Sequence, residues 1–127
     1  MKRKEPMDKK RLILVVDDEA DVVSVLSKRL EDSGYEVMAA SDGQEGLQKI
    51  NKEKPDLIIL DIGMPRMDGY TLMRELKSNA DFKSIPVIVL TARGQMQDLF
   101  KMEGVKDYMT KPFKSEELLE RIKKLLK

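Results

Sequence analysis

Apolar residues along this chain fall into short continuous runs that alternate with stretches of helical spacing. The first run, Leu12–Val16, is continuous, which is typical of a strand covered on both faces. After it, apolar residues recur at helical spacing as far as Gly34, a residue type that commonly ends a helix. The pattern predicts strands at 12–16, 35–40, 57–60, 87–90 and 107–110, and helices at about 22–33, 42–51, 70–78, 96–102 and 115–126.

The last predicted helix has recognisable end signals. Ser115 is a residue type preferred at an N-cap, so we expect it to cap this helix. Glutamates follow in the first turn and lysines lie near the end, as the helix dipole favours. Buried strands that alternate with amphipathic helices indicate an α/β fold, in which a parallel sheet carries helices on both faces and the crossovers are right-handed.

Polar residues follow several of the predicted strands directly. In an open parallel sheet, ligands bind outside the carboxyl ends of the strands, near a switch in strand order. The residues that follow strand ends, and that we expect to meet at this edge, are Asp17, Asp18, Asp61, Thr91 and Lys111.

Composition narrows the chemistry that this edge can perform. The chain has 127 residues, enough for one domain with a single core, and it contains neither cysteine nor histidine. Ser–His–Asp hydrolysis, Cys–His proteolysis and the common zinc sites are therefore excluded. No secretory signal or membrane span is predicted, and a cytoplasmic location is expected.

Charge is nearly balanced, with a net charge of +1, but it is uneven along the chain. Residues 1–11 contain six basic and two acidic residues. We expect residues 1–10 to form a flexible basic tail and 11–127 to form the folded domain. We do not expect the chain to bind nucleic acid or a membrane directly.

Each polar residue at the sheet edge also has an ordinary structural interpretation. Asp18 fits the cap of the first helix, Asp61 a turn acid and Thr91 a hydroxyl bonded to the backbone. Lys111 alone would be a surface lysine. Together, however, the carboxylates repel one another unless a cation neutralises their charge. Mg²⁺ is a suitable cation because it prefers oxygen ligands. An aspartate that accepts a phosphoryl group with the help of Mg²⁺, a lysine and a hydroxyl explains the whole set.

Four segments, in this order, carry a more specific pattern: ILVVDDEADV, PDLIILDIGMPRMDGYTLMRELK, IPVIVLTARG and DYMTKPF. Together they resemble the receiver domain of bacterial two-component response regulators, and the resemblance covers residues 11–127. It implies a flavodoxin-like fold with strand order 2-1-3-4-5. It also implies a signalling switch that catalyses only its own phosphorylation and dephosphorylation.

The resemblance implies a role for each matching position. Asp61 is the phosphoacceptor, and Thr91 and Lys111 contact the phosphoryl group. Asp18 and Asp61 hold Mg²⁺ directly. The remaining implied roles are a water-mediated Mg²⁺ contact for Asp17, a backbone carbonyl ligand from Gly63, an aromatic switch for Tyr108 and a cis peptide bond before Pro112.

Two features depart from the pattern or vary within it. The spacing from Thr91 to Lys111 is about two residues shorter than expected for the family, and the missing residues fall in the predicted helix at 96–102. That helix belongs to the output surface, which also includes the last strand and the last helix, so the departure concerns switching and partner choice. Gly63 and Arg93 stand at positions that vary in the family and tune hydrolysis of the phosphoryl group there, so the resemblance implies this role for them.

The implied partners are a histidine kinase or phosphotransfer protein, with a small acyl phosphate as an alternative donor, and an output protein or a missing effector domain. We expect a single-domain monomer or weak dimer. Other interpretations fit less well. A haloacid-dehalogenase phosphatase needs an acid where Gly63 stands, a dinucleotide-binding enzyme needs a glycine-rich loop after the first strand, and acids would repel a flavin phosphate. A receiver-like module that is not phosphorylated stays as the alternative.

Overall fold

A five-stranded parallel sheet forms the centre of the protein. The computed structural model describes residues 10–62, 69–91 and 107–126. The strands are β1 (Leu12–Val16), β2 (Glu36–Ala40), β3 (Leu57–Asp61), β4 (Val87–Thr91) and β5 (Asp107–Thr110), in the order β2-β1-β3-β4-β5. All four strand pairs are parallel. The predicted fold class and strand order are therefore confirmed.

Helices cover both faces of this sheet. The described helices are α1 (Ala20–Asp32), α2 (Gly43–Lys52), α3 (Gly69–Lys77) and α4 (Ser115–Leu125). The helix predicted at 96–102 and the tail predicted at 1–9 lie outside the described residues. In the described part of the chain, no helix is long and apolar enough to span a membrane.

The core consists of two apolar layers, one on each face of the sheet. On one face, alternate residues of the central strands pack against α2 and α3, with Ile50 and Leu72 as examples. On the other face, the remaining strand residues pack against α1 and α4, through Leu30 and Ile122 among others. β1, β3 and β4 are buried along their whole length, which is why their sequences are continuous apolar runs.

Strand and helix ends deviate from the sequence prediction by one or two residues, and two of these shifts concern the site. β3 and β4 each extend one residue further than predicted, so that Asp61 and Thr91 are the last residues of their strands. Gly34 ends α1 with a φ of +98°, a conformation that glycine adopts without steric strain.

The predicted N-cap at Ser115 is wrong. Lys114 has the extended backbone of the cap position, with φ −94° and ψ 133°, and Ser115 is already the first helical residue. A side chain in the first turn is not placed to accept from the next free N–H groups as an N-cap hydroxyl does. α4 therefore begins without a side-chain cap.

α2, by contrast, begins with a reciprocal cap. The Asp42 carboxylate accepts a hydrogen bond from the Glu45 N–H at 2.8 Å, and the Glu45 carboxylate accepts one from the Ser41 N–H at 2.8 Å. The hydrogen bonds from Ser41 lower the pKa of Glu45. Because α2 directly follows β2, this cap fixes the chain where it leaves the edge of the sheet that carries the acids.

Candidate functional site

The carboxyl ends of the strands are held in line by the backbone. Asp61 pairs with Leu90, and Thr91 pairs with Thr110. One residue beyond β5, the Lys111 N–H donates to the Thr91 carbonyl at 2.8 Å. At the other side, the Asp17 N–H donates to the Ala40 carbonyl at 3.0 Å. These bonds place the predicted acids, hydroxyl and lysine at one edge of the sheet.

The site is largely buried. Asp17, Asp61 and Thr91 are 1%, 7% and 0% exposed, although each is polar. A buried carboxylate is strongly disfavoured unless hydrogen bonds or an opposite charge compensate for the lost water. The surroundings of these two aspartates therefore have to provide hydrogen bonds or positive charge.

Lys111 provides that charge. Its ammonium lies 3.0 Å from Asp17 Oδ2, 2.9 Å from Glu19 Oε1 and 3.4 Å from Asp61 Oδ2. Burial alone lowers the pKa of Lys111, but hydrogen bonds to Glu19 and Asp17 and the charge of Asp61 outweigh burial and raise this pKa above its ordinary value. Lys111 is therefore a fixed cation at neutral pH and bonds to three acids at once.

Asp17 is bonded through both of its oxygens. While Oδ2 accepts from Lys111, Oδ1 accepts from the Glu19 N–H at 2.9 Å. Glu19 is the N-cap of α1 and makes no side-chain cap hydrogen bond. The interpretation of Asp18 as the cap of α1 is therefore wrong, since the cap position lies one residue later.

The carboxylates present can accommodate a divalent cation. One oxygen from each of Asp17, Glu19 and Asp61 lies within 4.8 Å of the others, so all three can face one ion. Carboxylate oxygens are the ligands that Mg²⁺ prefers, and it commonly keeps several waters beside one or two of them. The donor set thus fits a hard divalent cation such as Mg²⁺.

Asp18 and Glu19 occupy different places from those that sequence analysis suggested. Asp18 is exposed and is not in the group of three, although it lines, with Asp17, a cleft of about 360 Å³. Glu19 contacts Lys111 and joins the group, a role that the sequence analysis missed. The signal was present in the sequence, because Glu19 is the third of three consecutive acids after β1.

The other predicted site residues are only partly described. Tyr108 is 41% exposed, and its partner on the neighbouring strand β4 is Val89. The peptide bond between Lys111 and Pro112 is cis. Gly63 and Arg93 lie outside the described residues, so their predicted roles in metal binding and hydrolysis stay predictions.

The fold and the site together define a class of protein. A parallel sheet in this order, with buried acids, a hydroxyl and a lysine at its carboxyl edge, is the arrangement that the sequence resemblance implied. The sequence model of the family described as response regulator receiver domain matches residues 13–123. The chain belongs to this family.

Particular relatives agree with this assignment. The alkaline phosphatase synthesis transcriptional regulatory protein PhoP of Bacillus subtilis is 45% identical over 95% of this chain and 50% of its own length. The DNA-binding dual master transcriptional regulator RpaA of Synechocystis is 41% identical over 91% of this chain and 48% of its own. The chain thus spans about half the length of these curated relatives.

A solved structure is similar over its whole length. The chemotaxis protein CheY4 of Vibrio cholerae superimposes with a TM-score of 0.83 and is 31% identical. The match covers 93% of this chain and 100% of that one. The same fold therefore occurs both in a protein of this size and in regulators about twice as long.

Proposed function

We propose that this chain is the phosphoacceptor of a two-component phosphorelay, with Asp61 as the residue that is phosphorylated. The observation that carries the proposal is the contact of one partly buried lysine, Lys111, with the carboxylates of Asp17 and Asp61 at the carboxyl edge of the sheet. A lysine so placed stabilises charge that develops on a phosphoryl group next to it.

Asp61 suits the nucleophile better than Asp17 does. Both oxygens of Asp17 already accept short hydrogen bonds, from Glu19 and from Lys111, which lowers their availability for attack. Lys111 also contacts Asp61, at 3.4 Å, so the same cation lies beside its carboxylate. Asp61 also ends β3, between β1 and β4, so that the other site residues flank it.

The transfer is a displacement at phosphorus. An oxygen of Asp61 forms the new bond to phosphorus while the bond to the donor breaks, and the donor keeps that electron pair. The donor is a phosphohistidine of a partner histidine kinase or phosphotransfer protein, or a small acyl phosphate, since this chain has no histidine. The Lys111 ammonium pairs with the Asp61 carboxylate before the transfer and with the new phosphoryl oxygens after it. The Thr91 hydroxyl donates a hydrogen bond to these oxygens.

Mg²⁺ is the cofactor that the acidic group fits. In this proposal Asp61 and Asp18 hold it directly, Asp17 acts through water, and the Gly63 carbonyl is a further ligand. The acids Asp17, Glu19 and Asp61 support the proposal, because their oxygens can converge on one ion. Gly63 and Arg93 tune the hydrolysis of the phosphoryl group.

The output surface consists of residues 96–102, β5 and α4. Phosphorylation draws the Thr91 hydroxyl toward Asp61, and Tyr108, now 41% exposed, turns into the space behind β4. Tyr108 is coupled to α4 because Arg121 of that helix donates to the Tyr108 carbonyl at 2.8 Å and pairs with Asp107. A change at β5 thereby reaches the surface of α4.

The partners follow from this role. The chain acts in the cytoplasm as a monomer or weak dimer, catalyses only its own phosphorylation and dephosphorylation, and binds neither membrane nor nucleic acid itself. Its output is contact with another protein or with an effector domain. The transcriptional regulators among its relatives, which are about twice as long, support the second arrangement, and CheY4, which matches over its full length, supports the first.

A labelling experiment tests the proposal. The chain is incubated with acetyl phosphate and Mg²⁺, and the mass of the intact protein is measured. We expect one phosphate that is lost in base, none in Asp61→Asn, and normal uptake in the control Asp81→Asn, which removes an exposed acid from the loop before β4. Equal uptake by Asp61→Asn would overturn the assignment of Asp61 as the phosphorylated residue. No uptake by the wild type with either acetyl phosphate or a histidine kinase would support the module that is not phosphorylated.

A further inference from the structure

Glu19 is the outermost acid of the pocket. Its side chain is 60% exposed, whereas those of Asp17 and Asp61 are 0% and 10% exposed. Even so, it makes the shortest of the three contacts with Lys111, at 2.9 Å. The ammonium is therefore anchored at the mouth of the pocket as well as at its floor.

A cation that enters the pocket competes with this ammonium. Asp17 Oδ2 and Asp61 Oδ2, which bond to Lys111, belong to the same carboxylates that can face an ion. Two positive charges so close together repel strongly at low effective dielectric. The ammonium has to withdraw from Asp17 and Asp61 when the cation arrives, and it then needs another partner.

We infer that Glu19 is a positioning residue, which acts through Lys111. It holds the ammonium at the mouth of the pocket, so that Asp17 and Asp61 can take a cation while Lys111 remains paired and close to the phosphoryl position. The inference rests on the proposed function in one respect, namely that the cation is Mg²⁺.

A purely structural role for the Glu19 side chain does not account for this arrangement. Glu19 occupies the N-cap position of α1, but its side chain makes no cap hydrogen bond, and the bond that opens the helix comes from its backbone N–H to Asp17. Glu19→Gln preserves the backbone and removes the charge. We therefore expect this variant to fold normally.

The first measurement concerns the metal-free protein. The Lys111 ammonium and its neighbouring carbon are followed by NMR in wild type, Glu19→Gln and Asp21→Asn. The control removes an acid two residues away, in the first turn of α1. We expect the Lys111 signals to move in Glu19→Gln and to stay in place in Asp21→Asn. Unmoved signals in Glu19→Gln would overturn the inference, whether or not Mg²⁺ binds.

The second measurement is a double-mutant cycle, in which calorimetry on the unphosphorylated chain gives the Mg²⁺ affinity of each variant. With Lys111 present, Glu19→Gln is expected to weaken Mg²⁺ binding about threefold to fivefold, the range of a partly exposed ion pair. In the Lys111→Met background, where there is no ammonium to position, the same change should have no larger effect than Asp21→Asn.

The cycle separates positioning from direct metal binding. Equal weakening by Glu19→Gln in both backgrounds would show that Glu19 acts on the ion itself and would overturn the inference. The inference would also be overturned if Glu19→Gln left the Mg²⁺ affinity unchanged while Lys111 is present. If the wild type binds no Mg²⁺, the metal part of the proposed function fails, and the Lys111 signals in the metal-free protein then decide the inference alone.

Discussion

Asp17 and Asp18 are neighbours in sequence but differ in environment. Asp17 is buried and bonded through both oxygens, whereas Asp18 is exposed and does not cap α1. Burial makes Asp17 part of the fold as well as of the site. Asp18 is free of that structural role, so its contribution to metal binding can be measured separately.

We predict that Asp18→Asn weakens Mg²⁺ binding and slows phosphorylation by acetyl phosphate together, with less than about 0.5 kcal/mol change in the free energy of unfolding, as is usual for an exposed side chain. Urea denaturation without Mg²⁺ measures the stability, and calorimetry measures the binding. Asp32→Asn, an exposed acid at the end of α1, is the control. Unchanged Mg²⁺ affinity in a folded Asp18→Asn variant would contradict the proposed ligand role.

Lys111 makes a contribution to stability that depends on pH. We predict that Lys111→Met lowers the free energy of unfolding by about 1–2 kcal/mol at pH 7 without Mg²⁺, between the values for exposed and buried ion pairs. Folding raises the pKa of Lys111, so its stabilisation is fully present below the unfolded pKa of about 10.4. Above that pH the unfolded chain loses its proton first, and the contribution declines.

The quantity to measure is the difference in unfolding free energy between wild type and Lys111→Met from pH 7 to 11. Urea denaturation gives the free energy at each pH. Taking the difference removes the titration of the other lysines and the tyrosines. Lys124→Met, an exposed lysine in the last turn of α4, should show a small difference at every pH. A Lys111→Met difference that grows with pH would contradict the ion-pair geometry.

At the scale of elements, the end of β2 is linked to the start of the helix that follows it. The Asp42 cap that starts α2 lies next to the end of β2, whose last residue, Ala40, accepts the Asp17 N–H. The position of Asp17 is therefore linked, through the end of β2, to the cap of α2, although α2 contributes none of the acids or the lysine of the site.

We predict that Asp42→Ala lowers the free energy of unfolding by about 1 kcal/mol, because the Glu45 N–H loses its partner. Urea denaturation measures the change. Gln44→Ala, an exposed substitution in the same turn, should change stability by less than about 0.5 kcal/mol. Equal stabilities for the two variants would show that the cap is dispensable.

Helix ends were the elements least accessible from the sequence. The strand order, both core layers and the convergence of Asp17, Asp61 and Lys111 follow from apolar runs and from the resemblance. Ser115 was misassigned because a serine fits an N-cap and a first turn almost equally well in sequence, and backbone angles decide between them. Glu19 was missed because it lies in the turn between β1 and α1, whose path the apolar pattern does not predict, although three consecutive acids mark the place.

At the scale of the whole molecule, we predict that a beryllofluoride mimic of phosphoaspartate with Mg²⁺ changes NMR shifts from Asp61 through Thr91 to Tyr108 and residues 96–110. The reason is that Thr91 and Tyr108 lie on adjacent strands, and Arg121 connects Tyr108 to α4. Asp61→Asn with the same additions is the control. Shifts confined to the loops around Asp17, Asp61 and Lys111 would mean that the chain does not use an aromatic switch.

The contact between Lys111 and Asp17 also has a consequence for how the chain matures. It joins residues 94 positions apart, and Lys111 reaches the pocket only after β5 has paired with β4. A ribosome-bound chain that has released its first three strands already carries the acids but lacks their counter-charge. Competence to receive a signal therefore arises only once β5 has been made and has paired with β4, so that shorter nascent chains cannot compete for phosphate with folded domains.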